Sequence, residues 1–263
     1  MAADPFGSTD GGRLLEVHEV SVRFGGIQAL DGVSMAVGPG DAVGLVGPNG
    51  AGKTTLFDCI SGRTRPDSGR VMFAGDPLDG MPPHRRARLG LARTFQRLEV
   101  FPELTVREHL VVADRAHRVH GALWRDLLNL SSVRPEEAAR VEEILALVGL
   151  DELAEVPVAA LGLGRCRLVE LGRALACEPS LLLADEPSSG LDRRETDALA
   201  RVLRTVQQRR SMAVLLVEHD LEMVAQTVDR VVVLDLGRVI AGGSFDQVVA
   251  EAAVRRAYLG VGT

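Results

Sequence analysis

The chain has 263 residues, 46% hydrophobic and 25% charged, with a formal net charge of −6. That balance describes a globular protein able to bury a substantial core, as one large domain or a core with a smaller lobe. The acidic charge and 3% aromatic content argue against nucleic acid as the main partner, which calls for a basic face or stacking platforms.

The first twelve residues, MAADPFGSTDGG, have neither a basic start nor an apolar stretch, and read as a flexible tail rather than a signal peptide. Val20, Val22 and Phe24 alternate with Ser21 and Arg23, the period of a half-buried strand. A second extended stretch, Val33 to Val37, closes at Gly38-Pro39-Gly40. The apolar run Ala42 to Val46 leads into a glycine-rich loop and a helix from Lys53. Arg70–Ala74 and Leu91–Phe95 read as strands, and the basic cluster His84-Arg85-Arg86-Ala87-Arg88 as a solvated helix face.

Between Phe101 and Ala176 the texture becomes helical. Thr105-Val106-Arg107-Glu108 is a capping-box pattern. Pro135-Glu136-Glu137 starts a second helix, with Val141, Ile144, Leu145 and Val148 on one face and Gly149 as its stop. A third carries Leu168, Leu171 and Leu175. Strand-like runs return at Leu181–Ala184, Ala213–Val217 and Arg230–Leu234. Between the first two lies a helix from Asp192 to about Arg209, with Leu199, Val202, Leu203 and Val206 on one face. The pattern predicts an α/β core with a helical subdomain. Cys59, Cys166 and Cys177 show no metal-ligand spacing and fit a reduced, cytoplasmic protein. No apolar run is long enough to span a bilayer, so a membrane role must come through a partner.

One feature of the charge pattern is sharper. Lys53 is the single lysine among 30 Lys and Arg residues. It lies in Gly47-Pro48-Asn49-Gly50-Ala51-Gly52-Lys53-Thr54-Thr55, between an apolar strand and a helix, the setting of a phosphate-binding loop. Glycines let consecutive N–H groups converge on phosphate oxygens, and the helix N-terminus adds positive potential. The cation must reach the β and γ phosphates as a compact charge on a thin stem, which a guanidinium does not do. Thr54 is the candidate Mg²⁺ ligand through its hydroxyl, and Asp185, closing Leu181-Leu182-Leu183-Ala184, the second. If that strand persists, Glu186 points the other way, placed to polarise a water toward the γ-phosphate.

These residues resemble the ATP-binding subunits of ABC transporters, over essentially Leu14 to Gly260. Gly47–Thr54 resembles the Walker A loop, Leu181–Glu186 the Walker B strand, Thr94-Phe95-Gln96 the Q-loop, Ser189-Gly190-Leu191-Asp192 the D-loop and Val217-Glu218-His219-Asp220 the switch-histidine segment. The resemblance implies a P-loop NTPase core, a mixed sheet with an N-terminal antiparallel β part, plus an inserted α-helical subdomain. The core would take 13–96 and 177–263, the helical block 97–176, after a tail of 1–12. It implies that Phe24 stacks on adenine and that Asn49, Gly50, Ala51, Gly52, Lys53, Thr54 and Thr55 hold ATP. Thr54, Gln96 and Asp185 would hold Mg²⁺, and Glu186, His219, Gln96 and Asp192 would serve hydrolysis. Implied partners are transmembrane permease subunits, a second ATP-binding subunit and an extracytoplasmic solute-binding protein, at the cytoplasmic face of the membrane. Val100-Phe101-Pro102-Glu103-Leu104-Thr105-Val106 and the ending Ala257-Tyr258-Leu259-Gly260 are similar to the branched-chain amino acid importer ATPases. Lipopolysaccharide-export ATPases share that ending.

One motif departs from the family. The signature Leu-Ser-Gly-Gly-Gln aligns with Leu161-Gly162-Leu163-Gly164-Arg165, which lacks the serine hydroxyl and holds arginine where glutamine is usual. Gly162, Gly164 and Arg165 are therefore candidates for capping a partner's γ-phosphate through backbone donors and charge. A lost hydroxyl donor to a charged oxygen costs roughly 1.5–3 kcal/mol if unreplaced, so in a heterodimer one site would turn over faster than the other. DNA-repair ATPases of the superfamily, a non-catalytic regulator and a phosphate-loop kinase are the rival readings. The first lacks its usual coiled coils or zinc modules here, the second sits poorly with Glu186 and His219, and the third leaves Gln96 and His219 unexplained.

Overall fold

In the computed structural model, which describes residues 12–94, 101–118 and 133–259, the chain opens with two long antiparallel strands. They are β1 (Leu15–Phe24) and β2 (Ile27–Val37), joined through Gly25-Gly26. With β4 (Ser68–Phe73) and β5 (Asp76–Pro77) they form an antiparallel sheet in the order β2-β1-β4-β5. A larger sheet follows the order β10-β9-β3-β8-β7-β6. Its strands are β3 (Ala42–Val46), β6 (Leu91–Arg93), β7 (Leu181–Asp185), β8 (Ala213–Val217), β9 (Arg230–Asp235) and β10 (Arg238–Gly243). All its pairings are parallel except β9 with β10.

β3, β7 and β8 are buried along their whole length, as their unbroken apolar runs require of strands covered on both faces. Alternate residues divide between two cores. Val43, Leu45, Leu181, Leu183, Leu215 and Val217 face α1 (Lys53–Ser61) and the antiparallel sheet. Ala42, Val46, Leu182, Ala184, Val214 and Leu216 face the helical side. The register is tight: Leu45 lies opposite Val217, and Val217 opposite Asp185. Three strands therefore end level at one edge.

On the helical side lie α3 (Val106–Arg118), α4 (Pro135–Val148), α5 (Leu163–Leu175) and α6 (Arg193–Arg210). Val141, Ile144, Leu145 and Val148 of α4 are buried as the period predicts. Between α3 and α4 the contact is ionic as well as apolar. Asp114, nearly buried, accepts from Arg118 Nε at 3.0 Å and from Arg140 Nε and Nη2 at 2.9 and 2.7 Å. Arg115 grips Glu137 with Nε and Nη2 at 2.5 and 3.0 Å. Shorter helices α7 (Leu221–Thr227), α8 (Phe245–Ala250) and α9 (Ala252–Leu259) complete this layer.

Two expectations need correction. The basic cluster does form a helix, α2 (Pro83–Arg88), but its face is not wholly solvated. Arg86 is buried, and its guanidinium donates to the carbonyls of Met81, Cys59, Ile60 and Leu78 at 2.7–2.9 Å. Its donors match four backbone acceptors, two of them carbonyls of α1's last turn, where a helix end leaves acceptor capacity over. The strand expected at Arg70–Ala74 runs from Ser68 to Phe73, because Ala74 turns into the left-handed region at φ 51°. Phe95 of the expected Leu91–Phe95 strand lies outside the described residues, and β6 is observed to Arg93.

Candidate functional site

The loop after β3 is shaped by close approach as much as by turning. Gly47 has φ 152°, and a Cβ there would collide with the Leu234 carbonyl of β9. A Cβ on Gly52, φ 103°, would lie 2.5 Å from the Ala29 carbonyl. Helix α1 then begins with Gly52 as its N-cap, no side-chain capping bond and no acid in its first turn. Helices α6 and α8 differ, for Asp192 and Ser244 spend side-chain acceptors on their first-turn donors. The N-terminal donors of α1 are thus not engaged by a cap of the chain's own, as an anion site requires.

Lys53 is 6% exposed, and its Nζ donates to Gly47 O at 2.7 Å and Pro48 O at 3.0 Å. Burial pushes its pKa down, opposed by the Glu186 carboxylate. A desolvated ammonium of this kind gains from an anion in the loop. Asn49, Gly50 and Thr54 are exposed, Ala51 is buried, and Thr55 is half-buried. Phe24, 54% exposed, stands at the end of β1, an apolar ring offered to solvent.

The acid–base pair sits two strands away, across β8. β7 does not persist beyond Asp185. Glu186 adopts φ 45°, its N–H donating to Val217 O at 2.9 Å. The left-handed conformation costs a non-glycine residue about 1–2 kcal/mol, and it aims the side chain along the sheet edge. There Glu186 Oε1 lies 2.8 Å from His219 Nε2, at the end of β8. Asp185 is buried beside it, with Oδ2 accepting from Arg93 Nη2 at 2.7 Å. An exposed threonine hydroxyl and a buried carboxylate are oxygen donors that suit a hard cation such as Mg²⁺. Among the described residues no group of three or more His, Cys, Asp and Glu side chains could hold a metal. The donor set therefore fits an ion shared with phosphate oxygens rather than a protein cage.

Sequence reasoning missed Glu218 and Arg93. Glu218, 2% exposed, accepts from Ser188 N at 2.7 Å and His219 N at 3.0 Å, tying the turn after Glu186 to the histidine segment. An acid beside the histidine was the only signal available. Gln96 lies outside the described residues.

The remaining candidates, at the starts of α5 and α6, form a cluster of their own. Gly162 is the N-cap of α5, exposed, with φ −70° and open space where a Cβ would stand. Gly164 is in contact with α6: a Cβ there would meet Glu195 Oε1 at 2.9 Å. Arg165 is exposed. Asp192 caps α6, accepting from Glu195 N at 2.9 Å. Arg167 of α5 donates to Ser189 O at 3.3 Å, so the two segments are joined within one chain.

A parallel sheet whose strand ends carry a phosphate loop, an acid pair and a histidine defines a nucleotide hydrolase of the P-loop type. The comparisons with known proteins narrow the class. A family model described as ABC transporter matches residues 30–189. The high-affinity branched-chain amino acid transport ATP-binding protein BraF of Pseudomonas aeruginosa is 36% identical over 250 residues, covering 94% of this chain and 98% of BraF. LivG of Escherichia coli K12, which carries the same description, gives the same identity and coverage. Among solved structures, the ADP conformation of MJ1267, an ATP-binding cassette of an ABC transporter, superposes with TM-score 0.82 at 30% identity, covering 95% of this chain and all of that one. A nucleotide-free ATP-binding cassette gives 0.81 at 28% identity, with 96% of this chain and 100% of its own covered. The chain belongs to the ABC transporter family, as an ATP-binding subunit that hydrolyses ATP.

Proposed function

We propose that this chain powers import of branched-chain amino acids or similar small polar solutes. It would work at the cytoplasmic face of a membrane with permease subunits, a second ATP-binding subunit and an extracytoplasmic solute-binding protein. The cargo reading is supported by likeness to BraF and LivG over nearly their whole length. Among the described residues no helix is long and apolar enough to cross a membrane, which accords with a subunit that reaches it through others. The division into a core of 13–96 and 177–263 and a helical block of 97–176 belongs to the same reading.

In the site, Lys53 and the N–H groups from Asn49 to Thr55 bind the phosphates, and Phe24 covers the base. Thr54, Asp185 and Gln96 would hold Mg²⁺, and that ion would supply positive charge to offset the charge of the phosphates. Glu186 orients the attacking water and takes its proton as the bond from the γ-phosphorus to the bridging oxygen breaks. His219 fixes the Glu186 carboxylate and reaches toward the γ-phosphate. Asp192 sets the start of α6, and the Gly162, Gly164 and Arg165 turn faces the nucleotide of the second subunit. Positioning and charge supply nearly all the acceleration in such chemistry.

The permease would meet a groove of about 400 Å³ between α2, β6, α3 and α5, walled by Pro83, Ala87, Leu91, Ala113, Ala174 and Pro179. The resemblance implies a contact near Phe101, which is 55% exposed and precedes the N-terminal end of α3, whereas this groove lies against the C-terminal half of α3.

The observation that carries the hydrolytic part of this reading is the 2.8 Å pairing of Glu186, next to Asp185, with His219, just past the end of β8. In the Glu186→Gln variant, ATP affinity should stay near that of the parent while turnover falls by about a hundredfold or more. Turnover within a few-fold of the parent removes Glu186 from its role. Lys53→Ala, the companion control, should lose nucleotide affinity itself.

A further inference from the structure

Arg93 closes β6, and its side chain is only 8% exposed. Its guanidinium divides between acids on two different elements. Nη1 donates to Asp58 Oδ1 at 2.6 Å and Ser61 Oγ at 3.0 Å, both on α1, while Nη2 donates to Asp185 Oδ2 at 2.7 Å on β7. The guanidinium carbon also lies 5.7 Å from the Phe57 ring centre. One planar fork bridges the helix opened by the phosphate loop and the strand that ends in the candidate metal carboxylate. A lysine ammonium, a point charge, could not keep both bonds in that geometry.

The charges decide what the bridge does. Arg93 and Asp185 are buried together, while Asp58 keeps 27% side-chain exposure on the helix side. A cation bonded to Asp185 lowers the pull of that carboxylate on any other cation. It also holds the carboxylate in one rotamer by a charge-assisted bond. The two effects act oppositely on a metal: orientation favours binding and repulsion opposes it. A full charge in a low-dielectric pocket acts on a divalent ion by more than about tenfold in its equilibrium constant, so repulsion wins.

We propose that Arg93 is a positioning and tempering residue of the metal–nucleotide site: it aims the Asp185 carboxylate and, by its own charge, keeps that carboxylate from gripping a divalent cation tightly. The site can then let its metal and spent nucleotide go. This rests on Asp185 being a metal ligand, as in the reading above. A simple structural tie would behave differently, because its loss would weaken metal binding along with everything else.

The test uses the full chain in excess over ADP, so that no hydrolysis intervenes, with Mn²⁺ titrated in and the free ion followed by its electron paramagnetic resonance signal. Arg93→Met and Arg93→Gln should each lower the Mn²⁺ midpoint by about tenfold, and Arg93→Lys, which keeps the charge, should stay within about threefold of the parent. A midpoint that is unchanged or raised in both neutral variants overturns the proposal, as does an Arg93→Lys midpoint that falls with them. If one neutral variant fails to fold, the other with Arg93→Lys decides. Asp185→Asn separates the two ideas: an Mn²⁺ midpoint indifferent to it removes Asp185 as a ligand. A midpoint raised by it, yet unmoved by loss of Arg93, removes only the role given to Arg93.

Discussion

His109 shows how much one buried side chain can fix. Its ring is 1% exposed, with Nδ1 2.9 Å from Thr105 O and Nε2 accepting from Phe101 N at 2.9 Å. That pattern needs the neutral ring with its proton on Nδ1. Burial pushes its pKa down, with Arg173 acting in the same direction, against the Thr105 carbonyl and Glu108, which raise it. The folded pKa therefore lies below the unfolded value of about 6.5. The unfolded chain takes up the proton first, so this histidine's contribution is whole above about pH 6.5 and is lost as pH falls toward the folded pKa. Urea unfolding at a series of pH values should show the parent losing stability across that window while His109→Gln loses less. Equal slopes would mean that the ring is not buried neutral.

At the scale of elements, the ionic contact of α3 with α4 carries a prediction of its own. Arg118 and Arg140 keep 36% and 29% side-chain exposure, while Asp114 keeps 3%. In Asp114→Ala the arginines can regain water, so the loss should fall somewhat below the usual figure for breaking a buried pair, at about 2 kcal/mol by chemical denaturation. Burial alone would raise the Asp114 pKa, but bonds from Arg140 and Arg118 outweigh it and the net shift is downward. The contribution is therefore present above the unfolded pKa near 3.9 and fades as pH drops through the folded one, so parent and variant should converge in acid. The altered signature belongs to this scale too. Gly162 has an ordinary φ and free space for a side chain, and serine is at least as good an N-cap as glycine. Gly162→Ser should fold like the parent, and in a reconstituted heterodimer it should speed the slower site. An unchanged hydrolysis rate counts against the asymmetric scheme.

For the molecule as a whole, what could be read in advance is what local pattern encodes. The buried strands announce themselves because each is covered on both faces and must be apolar throughout. The loop announces itself because close backbone approach admits only glycine at Gly47. α4 is legible from proline, period and glycine stop together. Less legible is β10, whose Arg-Val-Ile-Ala-Gly-Gly has little alternation and which pairs only at the sheet edge. Least legible are residues whose meaning lies in distant partners: Arg93 meets Asp185 92 positions away, and Arg86 meets Cys59 27 positions away. No local period reports a guanidinium that spends its donors on another element's carbonyls. Likewise Glu218 could not be separated from its neighbour His219 until Ser188 was seen to approach it.

The level ending of β3, β8 and β7 makes the chemistry a matter of counting. Each strand delivers its group at a height fixed by the number of residues in its ladder, and one residue is worth about 3.3 Å and a change of face. A single-residue deletion within Ala213–Val217 would keep the composition of the core almost intact. Yet it would withdraw His219 from Glu186 and turn it toward the other layer. A transporter motor built this way tolerates altered loops far better than an altered tally of rungs.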